Sequence, residues 1–364
     1  MRFELETEQA DLAAMAQRFF ADALEVDRAA LLAGASDTYS KVWTRMATEA
    51  GFPAIAVPEE CDGAGGTWLD LAIVLEAAGQ AVSSTPLLST AGAGIAILRA
   101  AGKGAHQTLA DIAAGSVTVS WVDARDPGRA FAARLADGHW SLTGRHAHVL
   151  DGERVDLLLV TAQTVDGIGL FAVNPASASL VAETALDPTR PLATVSLDGA
   201  GSTALAVDMT EDSIARACAV TQILVAAELV GVAQGALDIA VEHALARHQF
   251  SRPIGGFQAV KHLLADAHAE VDSARAVARY AAWTVSMATD EVGASADVRA
   301  SELAALTMAR VIPAAERVTA TALQVLGGIG YTWEHPAHLY YKRAVSSARV
   351  LGTLEEYLDR ISRQ

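Results

Sequence analysis

The sequence predicts an α+β chain in three consecutive parts: helices, a small sheet, then helices again. Three observations predict it. Apolar residues recur at close to 3.6-residue spacing through residues 1–115 and again from 210 to 364. Between them, residues 116–209 carry short apolar or alternating runs bounded by turn residues, as strands do. No βαβ alternation joins the two patterns, which argues against a Rossmann-type parallel sheet.

In the first part, Leu12, Met15, Phe19 and Val26 follow helical spacing. The glycine-rich run from Val57 to Thr67 interrupts the helices, its glycines permitting positive φ and close backbone approach. Ala- and Leu-rich helices resume to about Ala114. In the second part, Phe131–Ala136 and His139–Thr143 flank Asp137-Gly138, which reads as a β-hairpin. Leu157–Val160, Gly169–Val173 and Ala193–Leu197 are further strands of a mostly antiparallel β domain. In the third part, Ile223, Ala227, Val230, Ala233, Leu237 and Val241 form one stripe, and long helices are expected over 257–288 and 295–326. Pro313 is expected to kink or interrupt the last of these.

Composition narrows the function. The chain has 364 residues, 52% of them hydrophobic and 19% charged, enough for a large ordered core. A net charge of −16 disfavours nucleic acid and anionic membrane surfaces as partners. The two cysteines, Cys61 and Cys218, imply no disulfide framework. The N-terminus is acidic, and the most apolar stretches, such as Ile223–Ala233, are broken by polar residues well short of a membrane span. A cytoplasmic protein without membrane insertion or a metal site is expected.

Two stretches carry chemistry. Arg247, His248, Arg252, Lys261 and His262 gather cations in an acidic chain around a break at Pro253–Gly256. Free backbone N–H groups beside a following helix N-terminus suit a pyrophosphate; the same pattern also serves a plain solvated connection between helices. Gly327-Gly328-Ile329-Gly330 follows a long helix and reads as a C-cap and turn, with Gln324 one turn earlier offering an amide to a ligand or to a neighbouring carbonyl.

Arg247–Gln258 and Gln324–Tyr331 resemble the R-x-x-F-G…Q and Q-x-x-G-G-x-G-[YF] signatures of the acyl-CoA dehydrogenase family, with Ser251 in place of the first glycine. Val57–Thr67 is similar to the family's P-E-x-x-G-G-x-G loop, Trp140–Gly144 to its W-x-[IL]-[NT]-G hairpin and Asp187–Arg190 to its D-x-T-R segment. These matches occur in family order over nearly the whole chain. The resemblance implies an N-terminal helical domain (1–115), a central antiparallel β domain (116–209) and a C-terminal four-helix bundle (210–364). It implies FAD as cofactor and an acyl-CoA substrate dehydrogenated between Cα and Cβ. Such chemistry needs hydrogen bonds to the thioester carbonyl, a desolvated glutamate for the α-proton and flavin N5 for the hydride.

The same resemblance exposes departures. The usual catalytic glutamate lies in a Y-E-G-T-like segment, matched here by Val350-Leu351-Gly352-Thr353, so Leu351 stands at the base position. The alternative base position, on the first helix of the C-terminal domain, matches Thr221. Glu228 lies two turns beyond, ~10 Å along the helix, and is a candidate for a relocated base or for a buried ion pair. Trp121–Arg129 and His148–Asp151 replace the T-E-P-x-x-G-S-like and W-[IS]-T-N segments that face a subunit's own flavin ring. In the family, the retained motifs hold the ADP half of a neighbour's FAD. The resemblance therefore implies cofactor binding by Arg247, Gln249, Phe250, Gln258, Gln324, Gly327, Gly328 and Thr353. The pattern resembles the base-lacking smaller subunit of bacterial α2β2 acyl-CoA dehydrogenases, some of which act on CoA esters of steroid side chains. A homo- or heterotetramer, α2β2 foremost, and an electron-transfer-flavoprotein-type acceptor are implied. A self-sufficient homotetramer and a non-catalytic interaction protein on the same fold remain the alternatives.

Overall fold

The computed structural model describes residues 5–33, 37–123, 131–287 and 294–363. The first part contains α1 (Thr7–Ala33), α2 (Asp37–Arg45), α3 (Trp68–Gln80), α4 (Ile95–Ala101) and α5 (His106–Ala113). On α1, Ala16, Phe19, Phe20 and Ala23 face the core, and Phe20 stacks on Phe52 with ring centroids 5.9 Å apart. Met15 turns outward, which corrects its assignment to the buried spacing; the inward face runs along Ala16–Phe20 instead. Val26's side chain lies outside the described residues. The glycine-rich loop ends at Thr67, which caps α3 reciprocally with Asp70: each side chain accepts from the other residue's backbone N–H, at 3.2 and 2.8 Å.

The second part is a mixed sheet of β1 (Val119–Val122), β2 (Phe131–Ala136), β3 (His139–Leu150), β4 (Leu157–Gln163), β5 (Ile168–Val173), β6 (Ser179–Ala182) and β7 (Leu192–Met209). Most pairings are antiparallel, as expected, but β4 runs parallel to both β1 and β2. The path closes on itself through β2, β3, β7, β5 and β4 back to β2, which leaves little free edge. Phe131, Leu142, Phe171 and Val195 fill its interior. Asp137 and Gly138, both at positive φ (51° and 79°), turn β2 into β3 as the Asp-Gly signal predicts.

The third part contains α6 (Glu211–Ala246), α7 (Gln258–Met287), α8 (Ala294–Leu326), α9 (Ala337–Ser347) and α10 (Leu354–Ser362). The three long helices pack together, α9 lies on α6 and α8, and α10 lies on α8. Pro313 sits inside α8 without ending it. α6 is buried around almost its whole circumference from Ala217 to Ala233, so the expected stripe widens into a fully enclosed helix; Val241, near its end, is exposed. By length and mean hydropathy (1.7) α6 is able to cross a membrane, which corrects the expectation that its apolar run is too short. In this fold, 83% of its apolar window is buried inside the protein. α6 meets α3 at glycines on both sides. A Cβ on Gly231 would stand 1.8 Å from the Glu76 carbonyl oxygen, and one on Gly79 would stand 2.1 Å from that of Glu228. Only glycine permits this backbone-to-backbone approach.

Candidate functional site

A cavity of about 240 Å³ opens where β1, the end of β3, the first half of α6 and the link between α9 and α10 converge. Leu351 and Thr221 both line it. The two residues matched to base positions by resemblance, 130 apart in sequence, thus share one space, and neither side chain is an acid or base near neutrality. Thr221's hydroxyl donates to the Ala217 carbonyl at 2.8 Å, one turn back on α6. Leu351 is fixed through its carbonyl, which accepts from Gln222 Nε2 at 3.2 Å and the Tyr357 hydroxyl at 3.0 Å.

The remaining walls were not singled out individually from sequence. Ser89, Ser120, Trp121, Asp123, His146, His148 and Cys218 all line the cavity. Cys218 lies one turn before Thr221, a spacing that marks it as sharing that helix face, and its thiol donates to Asp123 Oδ2 at 3.3 Å. The part of the Trp121–Arg129 segment from 124 onward lies outside the described residues. His148 holds a positive φ of 61°, pinned by Glu183, which accepts from its backbone N–H at 2.9 Å and pairs with its Nδ1 at 2.5 Å. Partial burial works against the Glu183 carboxylate, but these bonds and one from Thr194 hold it below the usual carboxylate range. Behind the wall, Asp151 accepts from Ser89 at 2.6 Å. Burial pushes Asp151 up to about 6, against the pull of Ser89 and of Arg190, Arg154 and Arg343.

Glu228 does not line this cavity. It is 4% exposed and its carboxylate is bound by Arg190 and, at 3.0 Å, by Arg343 Nη1. Arg343, 1% exposed, also donates through Nε to Asp187 at 2.5 Å and through Nη2 to Thr189 and to the Ser83 carbonyl. Burial would raise Asp187, but Arg343, Thr189 and Arg190 outweigh it and hold the carboxyl below its ordinary value. The candidate relocated base is therefore one corner of a buried four-charge cluster joining α6, α9 and the Asp187–Arg190 segment. That corrects its candidacy: both carboxylate oxygens already face guanidinium groups.

The expected cofactor residues occupy different ground. None lines the cavity, and all but the half-buried Gly327 are exposed. Arg247 ends α6, its backbone N–H donating to His243. A short ribbon follows, pairing His248–Gln249 with Arg252–Pro253. Phe250 and Ser251 form its tip at φ 52° and 62°. Ser251 thus holds the left-handed conformation that suits the glycine of the family motif. Phe250 is 88% exposed, and Arg252 lies 4.0 Å over the Phe257 ring. Gln258 opens α7. Gln324 lies near the end of α8, followed by Gly327 at φ 64° and Gly328, where an added Cβ would meet nothing within 4 Å. Thr353 caps α10, its hydroxyl oxygen accepting from Glu356 N–H at 3.3 Å. An exposed guanidinium, exposed amides and open glycine backbone form a donor set that fits a dinucleotide pyrophosphate presented from outside the chain. Among the described residues, no group of three or more His, Cys, Asp or Glu is placed to hold a metal ion.

Comparison with known proteins identifies the family. The family models described as acyl-CoA dehydrogenase N-terminal domain and C-terminal domain match residues 6–115 and 212–364. Acyl-CoA dehydrogenase IpdE2 of Mycolicibacterium smegmatis is 34% identical over 88% of this chain and 86% of its own. The ChsE4-ChsE5 complex from Mycobacterium tuberculosis superposes with a TM-score of 0.82 at 25% identity, covering 100% of this chain and 98% of that one. A variant of the Tcur3481-Tcur3483 steroid ACAD gives a TM-score of 0.84 at 26% identity over 98% of this chain and 97% of that one. With the fold, the motifs and these relatives in agreement, the chain belongs to the acyl-CoA dehydrogenase family.

Proposed function

We propose that this chain is one subunit of a cytoplasmic, FAD-dependent acyl-CoA dehydrogenase that works as a heteromer, α2β2 foremost, whose partner supplies the catalytic glutamate. The carrying observation is that Leu351 and Thr221, matched to the two base positions by motif resemblance, line one cavity together. When bound, FAD supplies the acceptor for the hydride leaving Cβ of the thioester. Arg247, Gln249, Gln258 and Gln324 would hold the pyrophosphate of that cofactor through hydrogen bonds. Gly327 and Gly328 would let it approach the backbone, and Phe250 would present an aromatic face to it. The partner's glutamate removes the α-proton, and an electron-transfer-flavoprotein-type protein takes the electrons onward. The likeness to a steroid ACAD supports a steroid-derived acyl-CoA as substrate.

The test is purification of the chain alone and together with the product of an adjacent dehydrogenase gene. FAD content and acyl-CoA turnover are expected only in the complex. Stoichiometric FAD and turnover by the chain alone would overturn the proposal. One observation favours a second reading, a self-sufficient homotetramer: Asp123 places a carboxylate on the cavity. That reading predicts turnover by the lone chain that disappears in Asp123→Asn.

A further inference from the structure

Helix α7 carries two seams, one turned into the bundle and one turned to solvent. Val271, Ala274, Ala278, Ala281 and Val285, at alternating steps of three and four residues, are buried where α7 packs on α3, α6 and α8. Ala269, Ser273, Ala276, Tyr280, Trp283 and Met287 repeat the same steps two residues further on, about 200° around the helix, and all are exposed. Three of them, Tyr280, Trp283 and Met287, are large apolar side chains left 40%, 40% and 55% open. The Tyr280 and Trp283 rings adjoin, with centroids 6.2 Å apart. Alternating steps of three and four are the pattern by which one helix docks along another. We propose that two copies of this chain pack α7 against α7 through the outer seam, antiparallel about a twofold axis level with Ala278.

The order of side-chain sizes selects this register. Ala269 and Met287 lie nine residues to either side of Ala278, Ser273 and Trp283 five, and Ala276 and Tyr280 two. A twofold axis there sets each bulky side chain of one copy over a small one of the other, which makes the face self-complementary. A parallel pairing would set tryptophan on tryptophan and leave voids over the alanines. Charge favours a second copy as well. Two chains of net charge −16 repel where acidic surfaces meet, but none of the six seam positions is charged. The charges beside the seam are already paired within the chain: Arg279 with Glu76, Asp272 with Arg275 and Arg310 with Glu270. Arg310 also donates to Ser273 at 3.2 Å, which places that side of α8 beside the seam. Leu306, one turn earlier on α8 and half exposed, widens the apolar face there. The α7 strip, ~27 Å long and ~10 Å wide, offers roughly 300 Å². With a like strip of α8 the face reaches roughly 600 Å², most of the ~800 Å² each partner gives to a standard interface. The contact joins like chains and does not depend on the dehydrogenase reading; in an α2β2 heteromer it is where two αβ pairs meet.

Sedimentation velocity of the purified protein, with any co-purifying subunit, tests it. The wild type is expected to hold at least two copies of this chain per particle. Trp283→Asp should halve the particle mass, raising the dissociation constant at least ~30-fold, as the loss of a central interface tryptophan does. Ala276→Tyr should halve it too, by setting bulky side chains against each other across the axis. Ala276→Tyr combined with Tyr280→Ala exchanges the two sizes and should restore the wild-type mass, which an unspecific greasy patch would not do. All three changes fall on the exposed face, circular dichroism checks the fold, and if one variant misfolds the others decide. Four results overturn the proposal: one copy per particle in the wild type, unchanged mass in Trp283→Asp, no rescue by the exchange, or loss of a different subunit in place of the second copy. FAD content and acyl-CoA turnover of the same preparations report separately. Unchanged mass in Trp283→Asp, with FAD and turnover only in a complex, removes the seam and keeps the heteromer. Two copies without any second subunit, separated by Trp283→Asp, does the reverse.

Discussion

Replacing Arg343 with methionine tests the reading of the buried cluster most directly. The wild-type guanidinium reaches Asp187 at 2.5 Å, Glu228 at 3.0 Å, Thr189 at 2.5 and 2.9 Å, and the Ser83 carbonyl at 3.1 Å. Methionine fills much of the volume and satisfies none of these acceptors. Asp187 and Glu228 would then share Arg190 alone, leaving one buried negative charge uncompensated. Breaking a buried pair by removing one partner costs ~3–5 kcal/mol, offset in part by the guanidinium no longer being desolvated. A net loss of ~3 kcal/mol is expected. At ~2 cal/mol/K of unfolding entropy per residue, that lowers Tm by roughly 4 °C for a chain of this length. Calorimetry or a thermal melt measures it. Repeating the substitution in an Asp187→Asn background should cost ~1–3 kcal/mol less, because the stranded charge is already gone. A Tm change within 1 °C and no coupling between the two sites would refute the argument. It would mean that desolvation of the four charges cancels their attraction.

The remaining expectations follow from single features. Ser251→Gly relieves a left-handed residue at the ribbon tip and should stabilise the chain by ~1 kcal/mol in a thermal melt, with Phe250 and Arg252 unchanged. Asp151 is raised to about 6 by burial, so the folded state holds a proton that the unfolded chain releases near pH 4, and stability falls as pH rises from about 4 to 6. Asp151→Asn should therefore stabilise more at pH 7.5 than at pH 4.5, by ~2 kcal/mol in paired denaturation curves; a pH-independent effect would contradict the buried ionisation. Gly231→Ala forces α6 away from α3, since the added Cβ would stand 1.8 Å from the Glu76 carbonyl, and should cost ~1–3 kcal/mol or more in urea denaturation.

Much of the architecture was legible locally. The Asp137-Gly138 turn announces its hairpin because positive φ at both positions is rare outside such turns. Helix α7 begins, and α8 ends, within a residue or so of the predicted bound, since long periodic segments carry a strong signal. The placement of Leu351 and Thr221 on one cavity was legible only through motif resemblance, because no local pattern relates residues 130 positions apart. Periodicity misjudged Met15 and Val241 because it gives a face but not where that face stops meeting a neighbour. The parallel pairings of β4 depend on how the sheet closes, which no strand states by itself. Arg343 was invisible as a core residue. It follows Tyr340 by three positions on the inward side of α9, but a lone arginine there reads equally as a solvated rim. Only its partners, on segments 115 and 156 residues away, decide the matter.

The enclosure of α6 has a consequence for how the chain is made. Outside the finished fold, this helix has the greasiness and span of a lipid-crossing segment. Its shelter is completed by α8 (Ala294–Leu326), which is synthesised later. During that interval a chaperone surface or a bilayer competes with the protein's own later residues for the same stretch. Chains truncated after Ala246 and released are therefore expected to partition into holdase complexes or membranes, and full-length chains to escape them.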